Sequence, residues 1–391
     1  MRHVIYVSGT RADYGPARNV LKAIDADPHL SLSILVTGMH LDPIHGETWR
    51  DIAADGFVIA ERVYGRVTGD SLSAMGASVG LYLYGMIQAI DRIKPDIVLV
   101  LGDRGEQLAG AMAGAFLNIL VVHLCGGSLS GSIDDSIRHA ITKFAHYHLP
   151  AFEEHARRII QMGEDPATVY VVGLPGGNIR PDVTFSRDQI YAKFNLPTDQ
   201  PYILVAQHPV THSQADAGSQ ITETLEAVAA LGYSTLLVNP NDDAGGREIL
   251  AKMKEYSERY AHLHILLPSS RELFCSIMAY AGVLVGNSSS GIVEAMSVGL
   301  PVVNIGDRQR GREHLAYLLN VGYERAQIRQ AIETALHDAE YRHRLVNSIG
   351  VINNIDTPTE VVNCLRSLDL SAANCPKHFN DLPMLDHTPE N

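Results

Sequence analysis

The sequence predicts an α/β protein built from two Rossmann-like, doubly wound domains that face each other across a cleft. Three observations predict it. The chain has 391 residues, too many for one ordinary core. Short, β-rich apolar runs alternate with helix-length segments along its whole length. Those runs are continuously apolar rather than alternating, as expected of parallel strands covered on both faces. In the first half they fall at 3–8, 32–37, 97–101, 119–123 and 169–172. In the second half they fall at 203–207, 235–238, 263–267, 283–286 and 302–305. The stretch 173–200, with GLPGGN and PTDQP, has the Pro and Gly content of a connection. The expected division is a first domain over 1–175, a linker over 176–200 and a second domain over 201–368. The polar tail over 369–391 is expected to be partly disordered. Ligands of such sheets bind beyond the carboxyl ends of the strands, so motifs directly after a run carry most information.

Composition narrows the function. A net charge of −13 argues against nucleic acid or an anionic membrane as partner, yet leaves room for a local basic pocket. One Trp and 6% aromatic residues do not supply a base-stacking surface. The cysteines Cys125, Cys275, Cys364 and Cys375 are scattered, with no pair at metal-ligand spacing. Reduced thiols and a cytoplasmic location are expected. The start MRHVIYVSGTRADYG has the pattern of a strand and turn rather than a signal peptide. No apolar run approaches the roughly 20 residues that span a bilayer.

Taken in order, the motifs lie where a cleft is expected. SGTRADYG follows the first run, and its Gly and Thr allow an anion close to a helix start. Arg11 can fork onto a phosphate, and Asp13 can orient Arg11 or bond a sugar hydroxyl. The bland alternative is a capped turn. After the second run, His40 is a candidate cleft residue or a packed histidine. Asp103 is a candidate base after the most apolar run, with Arg104 beside it. Asp103 can equally cap the next helix. The segment HLCGGSLSGSIDDSIRH, from His123 to His139, places Cys125, Asp134, Asp135, Arg138 and His139 behind a strand end.

In the second half, His208 precedes a proline, is held extended, and can donate to a phosphate. Asn239-Pro-Asn-Asp-Asp243 has the form of a turn, and Pro268-Ser-Ser-Arg271 gives only a weak base-binding signal. The strongest local signal is Gly286-Asn-Ser-Ser-Ser-Gly-Ile-Val-Glu294. Ser288, Ser289, Ser290 and Gly291 open a helix and suit a pyrophosphate, with Glu294 within reach of ribose hydroxyls. Arg308, Arg310 and Arg312 then form a local anion site or a solvated loop.

Together SGTRADYG, GDR, GGSLSGSIDDSIRHAITK, QHPV, GNSSSGIVEA and GDRQRGRE resemble the hydrolysing UDP-N-acetylglucosamine 2-epimerases of sialic-acid and legionaminic-acid pathways. The resemblance runs in order over roughly residues 1–365. It implies a GT-B fold, with UDP on the second domain and the sugar against the first. The implied reaction eliminates UDP across C1–C2, giving a 2-acetamidoglycal, and then hydrates it to the 2-epimer. It implies Arg11, His208, Ser288, Ser289, Glu294, Arg308 and Arg312 on UDP. It implies Asp103 and Asp134 as acid/base carboxylates, with Arg138 and His139 nearby and no metal or redox cofactor. A UDP-sugar, either UDP-N-acetylglucosamine or a 2,4-diacetamido-trideoxy analogue, is the implied partner. A homodimer or homotetramer is the implied assembly. One segment departs: the family pattern H-I-E-G-G-E is His123-Leu-Cys-Gly-Gly-Ser128 here. Cys125 stands where the family has an acid/base glutamate, and a thiol of ordinary pKa near 8.5 is no isostere of it. Epimerisation with a substituted third group, an altered sugar, or hydrolysis, transfer or mere binding without epimerisation all remain open at this point.

Overall fold

The computed structural model describes residues 1–69, 71–130, 133–210, 216–240, 243–267, 269–309, 318–348, 355–375 and 377–381. Two six-stranded parallel sheets form it. The first contains β1 (Arg2–Ser8), β2 (Leu30–Thr37), β3 (Ile59–Val63), β4 (Ile97–Leu101), β5 (Leu120–Leu124) and β6 (Tyr147–Leu149). The second contains β7 (Ile203–Ala206), β8 (Thr235–Val238), β9 (Leu263–Leu266), β10 (Val283–Gly286), β11 (Val302–Ile305) and β12 (Leu318–Val321). Their orders, β3-β2-β1-β4-β5-β6 and β9-β8-β7-β10-β11-β12, are the same topology.

Burial follows the pleat. Val4 and Tyr6 point into one core layer of the first sheet, Ile5 and Val7 into the other. Ile203 and Val205 likewise oppose Leu204 in the second sheet. Each sheet is thus apolar on both faces, which is why its strands carry so few polar residues.

Three strands were not expected. Sequence IAERV of β3 is half polar because it lies at a sheet edge. The strands β6 and β12 are also edges, and short. The run at 169–172 forms only an isolated bridge, Val169 to His148, with the amides of Tyr170 and Val172 bonded to the carbonyls of His148 (2.9 Å) and Pro150 (3.1 Å). The closing segment also differs from expectation. Helix α14 (Thr357–Ser367) packs against α1 (Arg11–Ala26), not on the second sheet. Val361, Val362, Leu365, Leu368 and Ala373 join the core beneath β1. Arg2 seals the contact with bonds to the carbonyls of Leu365 (3.0 Å) and Leu368 (2.6 Å). The chain therefore returns to the first sheet before residue 368. Among the described residues no helix is long and apolar enough to cross a membrane.

This topology fixes the site. In both sheets the winding reverses between the first and fourth strands, so β1/β4 and β7/β10 each open a crevice at their carboxyl ends. The loop after β10 depends on Gly286, whose φ is +138°. A Cβ there would stand 2.2 Å from the carbonyl oxygen of Ala206 on β7. Gly286→Ala is therefore expected to cost about 2 kcal/mol or more in urea unfolding, since backbone must move on the neighbouring strand. Unchanged stability would contradict that packing.

Candidate active site

The first-domain wall grows from β4, β5 and α5 (Ile133–Phe144). Asp103 and Arg104 lie between β4 and α4 (Gly105–Phe116), with Gly102 turning the chain at φ +81°. Cys125 leaves β5 with φ +61°, a left-handed conformation uncommon for a residue with a side chain. Its amide is held by the Leu149 carbonyl at 3.0 Å. Arg138, 1% exposed, ties this wall together. It donates to the Ser128 carbonyl (2.8 Å), to Asp135 (2.6 Å) and to Asp103. Asp135 also accepts from the Ser130 amide (2.6 Å) and hydroxyl (2.9 Å). That commits Asp135 to the loop.

Asp134, one position earlier on the helix, faces the cleft instead. Arg308 of the second domain stands 3.7 Å from it. Burial pushes the Asp134 pKa up, and the charge of Asp103 adds to that. His139 carries a buried Nδ1 and does not line the cleft. Burial and then Arg138 push its pKa down.

The second-domain wall is pinned by Asn287. Its side chain clamps the His208 backbone, accepting from the amide (2.7 Å) and donating to the carbonyl (2.8 Å). Its own carbonyl accepts from Arg308 (3.2 Å) and Gln309 (2.9 Å). One buried residue thus joins the ends of β7, β10 and β11. Ser288, Ser289 and Ser290 line the cleft as this turn enters α11 (Ser290–Val293). Gly291 does not; a Cβ there would meet Val302 at 3.0 Å, so it serves close packing on the sheet. Glu294 lines the cleft and pairs with Arg271 at 2.9 Å. Burial drives the His208 pKa down to about 3, with Arg308 adding to the effect.

Ion pairs cross between the walls. Arg18 of α1 meets Glu272 (2.5 Å) of α10 (Arg271–Tyr280) and also pairs with Asp55. Arg104 reaches Asp243 at 3.2 Å. Arg271 bonds Asp182 at 2.8 Å, and Arg18 approaches the same carboxylate at 3.6 Å. Between the walls lies a cavity of about 1010 Å³, ample for a nucleotide sugar.

Most expected residues meet here: Arg11, Asp13, Asp103, Arg104, Cys125, Asp134, Arg138, His208, Ser288, Glu294 and Arg308 all border the cavity. Arg310 and Arg312 lie outside the described residues. Two further expectations change. Asp13 is spoken for: it accepts from Ser8 (2.5 Å) and from the amides of Gly9 (3.1 Å) and Thr10 (2.7 Å). It closes the capping box of α1 rather than orienting Arg11, whose partner is Asp51 at 3.0 Å. His40 is fully buried between Ser8 (3.0 Å) and Thr48 (2.6 Å), a packed histidine. Asn287, Asp243, Arg18, Asp182 and Glu272 were missed. Of these, only Asp243 and Asn287 sit in motifs that follow a strand, where a signal existed.

The arrangement has the parts for proton transfer: two carboxylates in different environments, near a cationic group and a hydroxyl-rich turn. Comparison with known proteins gives the family. Residues 22–353 match the family model described as UDP-N-acetylglucosamine 2-epimerase. The chain is 38% identical to a hydrolysing UDP-N,N'-diacetylbacillosamine 2-epimerase of Legionella pneumophila, over 88% of this chain and 91% of that one. It is 31% identical to a hydrolysing GDP/UDP-N,N'-diacetylbacillosamine 2-epimerase of Campylobacter jejuni, over 97% and 99%. Its fold matches the UDP-GlcNAc 2-epimerase of Neisseria meningitidis, solved bound to UDP-GlcNAc. That match has a TM-score of 0.78 at 17% identity, covering 93% of this chain and 99% of that one.

His208 should stay neutral across the physiological range. Its ring carbon shift, followed by NMR, is expected to be flat from about pH 8 to pH 5, where an ordinary histidine titrates near 6.5. Titration in that window would contradict the lowered pKa.

Proposed function

The chain belongs to the UDP-N-acetylglucosamine 2-epimerase family, and from that premise we propose that it is a hydrolysing UDP-N-acetylhexosamine 2-epimerase. The observation that carries the reading is the placement of Asp103 and Asp134 on one wall, facing the serine turn and Arg308 on the other. UDP would lie along Ser288, Ser289 and Ser290 with Glu294 on its ribose, His208 and Arg308 beside its diphosphate, and the sugar against the first domain.

Two carboxylates in unlike surroundings divide the work. Asp103, ion-paired with Arg138, suits the acceptor of the C2 proton. Asp134, whose pKa is raised, suits the donor. Loss of that proton with departure of UDP gives the 2-acetamidoglycal. Water then adds at C1 and a proton returns at C2 from the other face, leaving the free 2-epimer. Arg308 touches both Asp134 and the backbone that leads into the serine turn, so it can offset charge on the leaving diphosphate.

Cys125 and Ser128 border the cavity on the first-domain wall, at positions where the resemblance implies glutamates. Their smaller side chains leave room for an additional substituent. A diacetylated sugar of the kind named for the two relatives fits this better than N-acetylglucosamine. A homo-oligomer working in surface-sugar biosynthesis is part of the same reading.

Incubation with each UDP-sugar in D₂O, followed by product NMR, tests it. The expected product is a free manno-configured sugar with deuterium at C2, formed faster from the diacetylated substrate. UDP release with the C2 proton and configuration intact would mean hydrolysis without epimerisation. Asp103→Asn and Asp134→Asn should each lower kcat by about 10²–10⁴. Cys125→Glu is expected to raise turnover of UDP-N-acetylglucosamine relative to the larger substrate, and an unchanged ratio would remove Cys125 from substrate choice.

A further inference from the structure

The chain's closing segment reaches a helix more than 200 residues earlier in sequence. Lys377 inserts its ammonium beneath the carboxyl end of α5 and bonds the carbonyls of Thr142 (2.9 Å), Lys143 (3.1 Å) and Ala145 (2.5 Å). These include carbonyls that a helix end leaves without partners, and a cation there also meets the negative end of the helix dipole. The charge is balanced by Glu164, 2.6 Å away and 1% exposed. Glu164 accepts as well from Lys143 (2.6 Å) and His148 (3.0 Å). Two further contacts fix the segment. The Phe379 ring covers the bare backbone of Gly163, where a Cβ would stand 2.3 Å from it, and the Asn380 amide donates to the Gly163 carbonyl at 2.8 Å.

At its other end α5 presents Asp134, Asp135 and Arg138 to the cleft wall. Thr142, whose carbonyl Lys377 caps, is also the link to the reacting loop. Its hydroxyl donates to the Arg138 carbonyl (3.1 Å) and contacts His123 Nδ1 (3.5 Å). His123 Nε2 in turn bonds the carbonyl of Gly102, next to Asp103, at 2.8 Å.

We infer that Lys377 is a positioning residue for the reaction: by capping α5 it sets where the sugar-side carboxylates stand. This rests on the reading of α5 as the helix that carries the acid/base group. The test uses the full chain with Lys377→Met, which keeps the stem and removes the ammonium. Glu164 retains Lys143 and His148, so the fold is expected to survive. The expected result is a kcat lower by roughly 10- to 100-fold with KM nearly unchanged, as for a small displacement of reacting groups. Faster amide exchange over 133–144 should accompany it, and Lys377→Arg should recover most of the lost kcat. Phe379→Ala, which loosens the segment without stranding a buried charge, should lower kcat in the same direction. An unchanged kcat in Lys377→Met overturns the inference, whether or not exchange rises. If the parent protein shows no epimerase turnover, the function reading fails instead, and the exchange measurement still decides whether Lys377 holds α5.

Discussion

The buried guanidinium of Arg138 is the constraint on which the rest of the site depends. It joins three segments that the fold brings together but does not itself fix: the loop after β4 through Asp103, the loop after β5 through the Ser128 carbonyl, and α5 through Asp135. Burying such a charge costs several kcal/mol unless it is well paired, and two carboxylates with a carbonyl offset that here. The same pairing gives the two candidate acid/base groups their different characters. Asp103 faces a cation, while Asp134 is desolvated beside the charge of Asp103. Acid and base roles at one pH need that kind of inequality.

Charge is distributed to match. The protein carries a net −13, yet Arg11, Arg18, Arg104, Arg138, Arg271 and Arg308 all border one cavity. Carboxylates border the same cavity, among them Asp55, Asp103, Asp134, Glu272 and Glu294, so its arginines are largely paired and the cleft is mixed rather than uniform in charge. Several of these arginines also hold the walls in relation to one another, through Arg18–Glu272 and Arg104–Asp243. Binding groups and wall-to-wall contacts are therefore partly the same residues.

Much of this was legible in the sequence, for physical reasons. Strands buried on both faces have to be apolar, so β1, β4, β5, β7 and β10 stand out. The edge strands β3 and β12 are only partly buried and lose the signal, while β6 is buried throughout but only three residues long. The return of α14 to the first sheet leaves no local mark, because its apolar face would suit either core. Motifs after strands pointed to the cleft because topology puts them there. What each side chain does was harder to see. Asp13 and His40 look like site residues in one dimension and are packed in three. Asn287 and Lys377 act through contacts with residues far away in sequence, which no local pattern encodes.

The most direct measurement is a double-mutant cycle between Arg138 and Asp103, using Arg138→Met and Asp103→Asn and read as unfolding free energy. If the buried guanidinium organises the wall, the two changes are strongly non-additive, with a coupling of about 1–3 kcal/mol, because each single change strands the other partner. Additive effects would contradict the account: the ion pair would then be incidental, and the geometry of Asp103 and Asp134 would have to be held by something else.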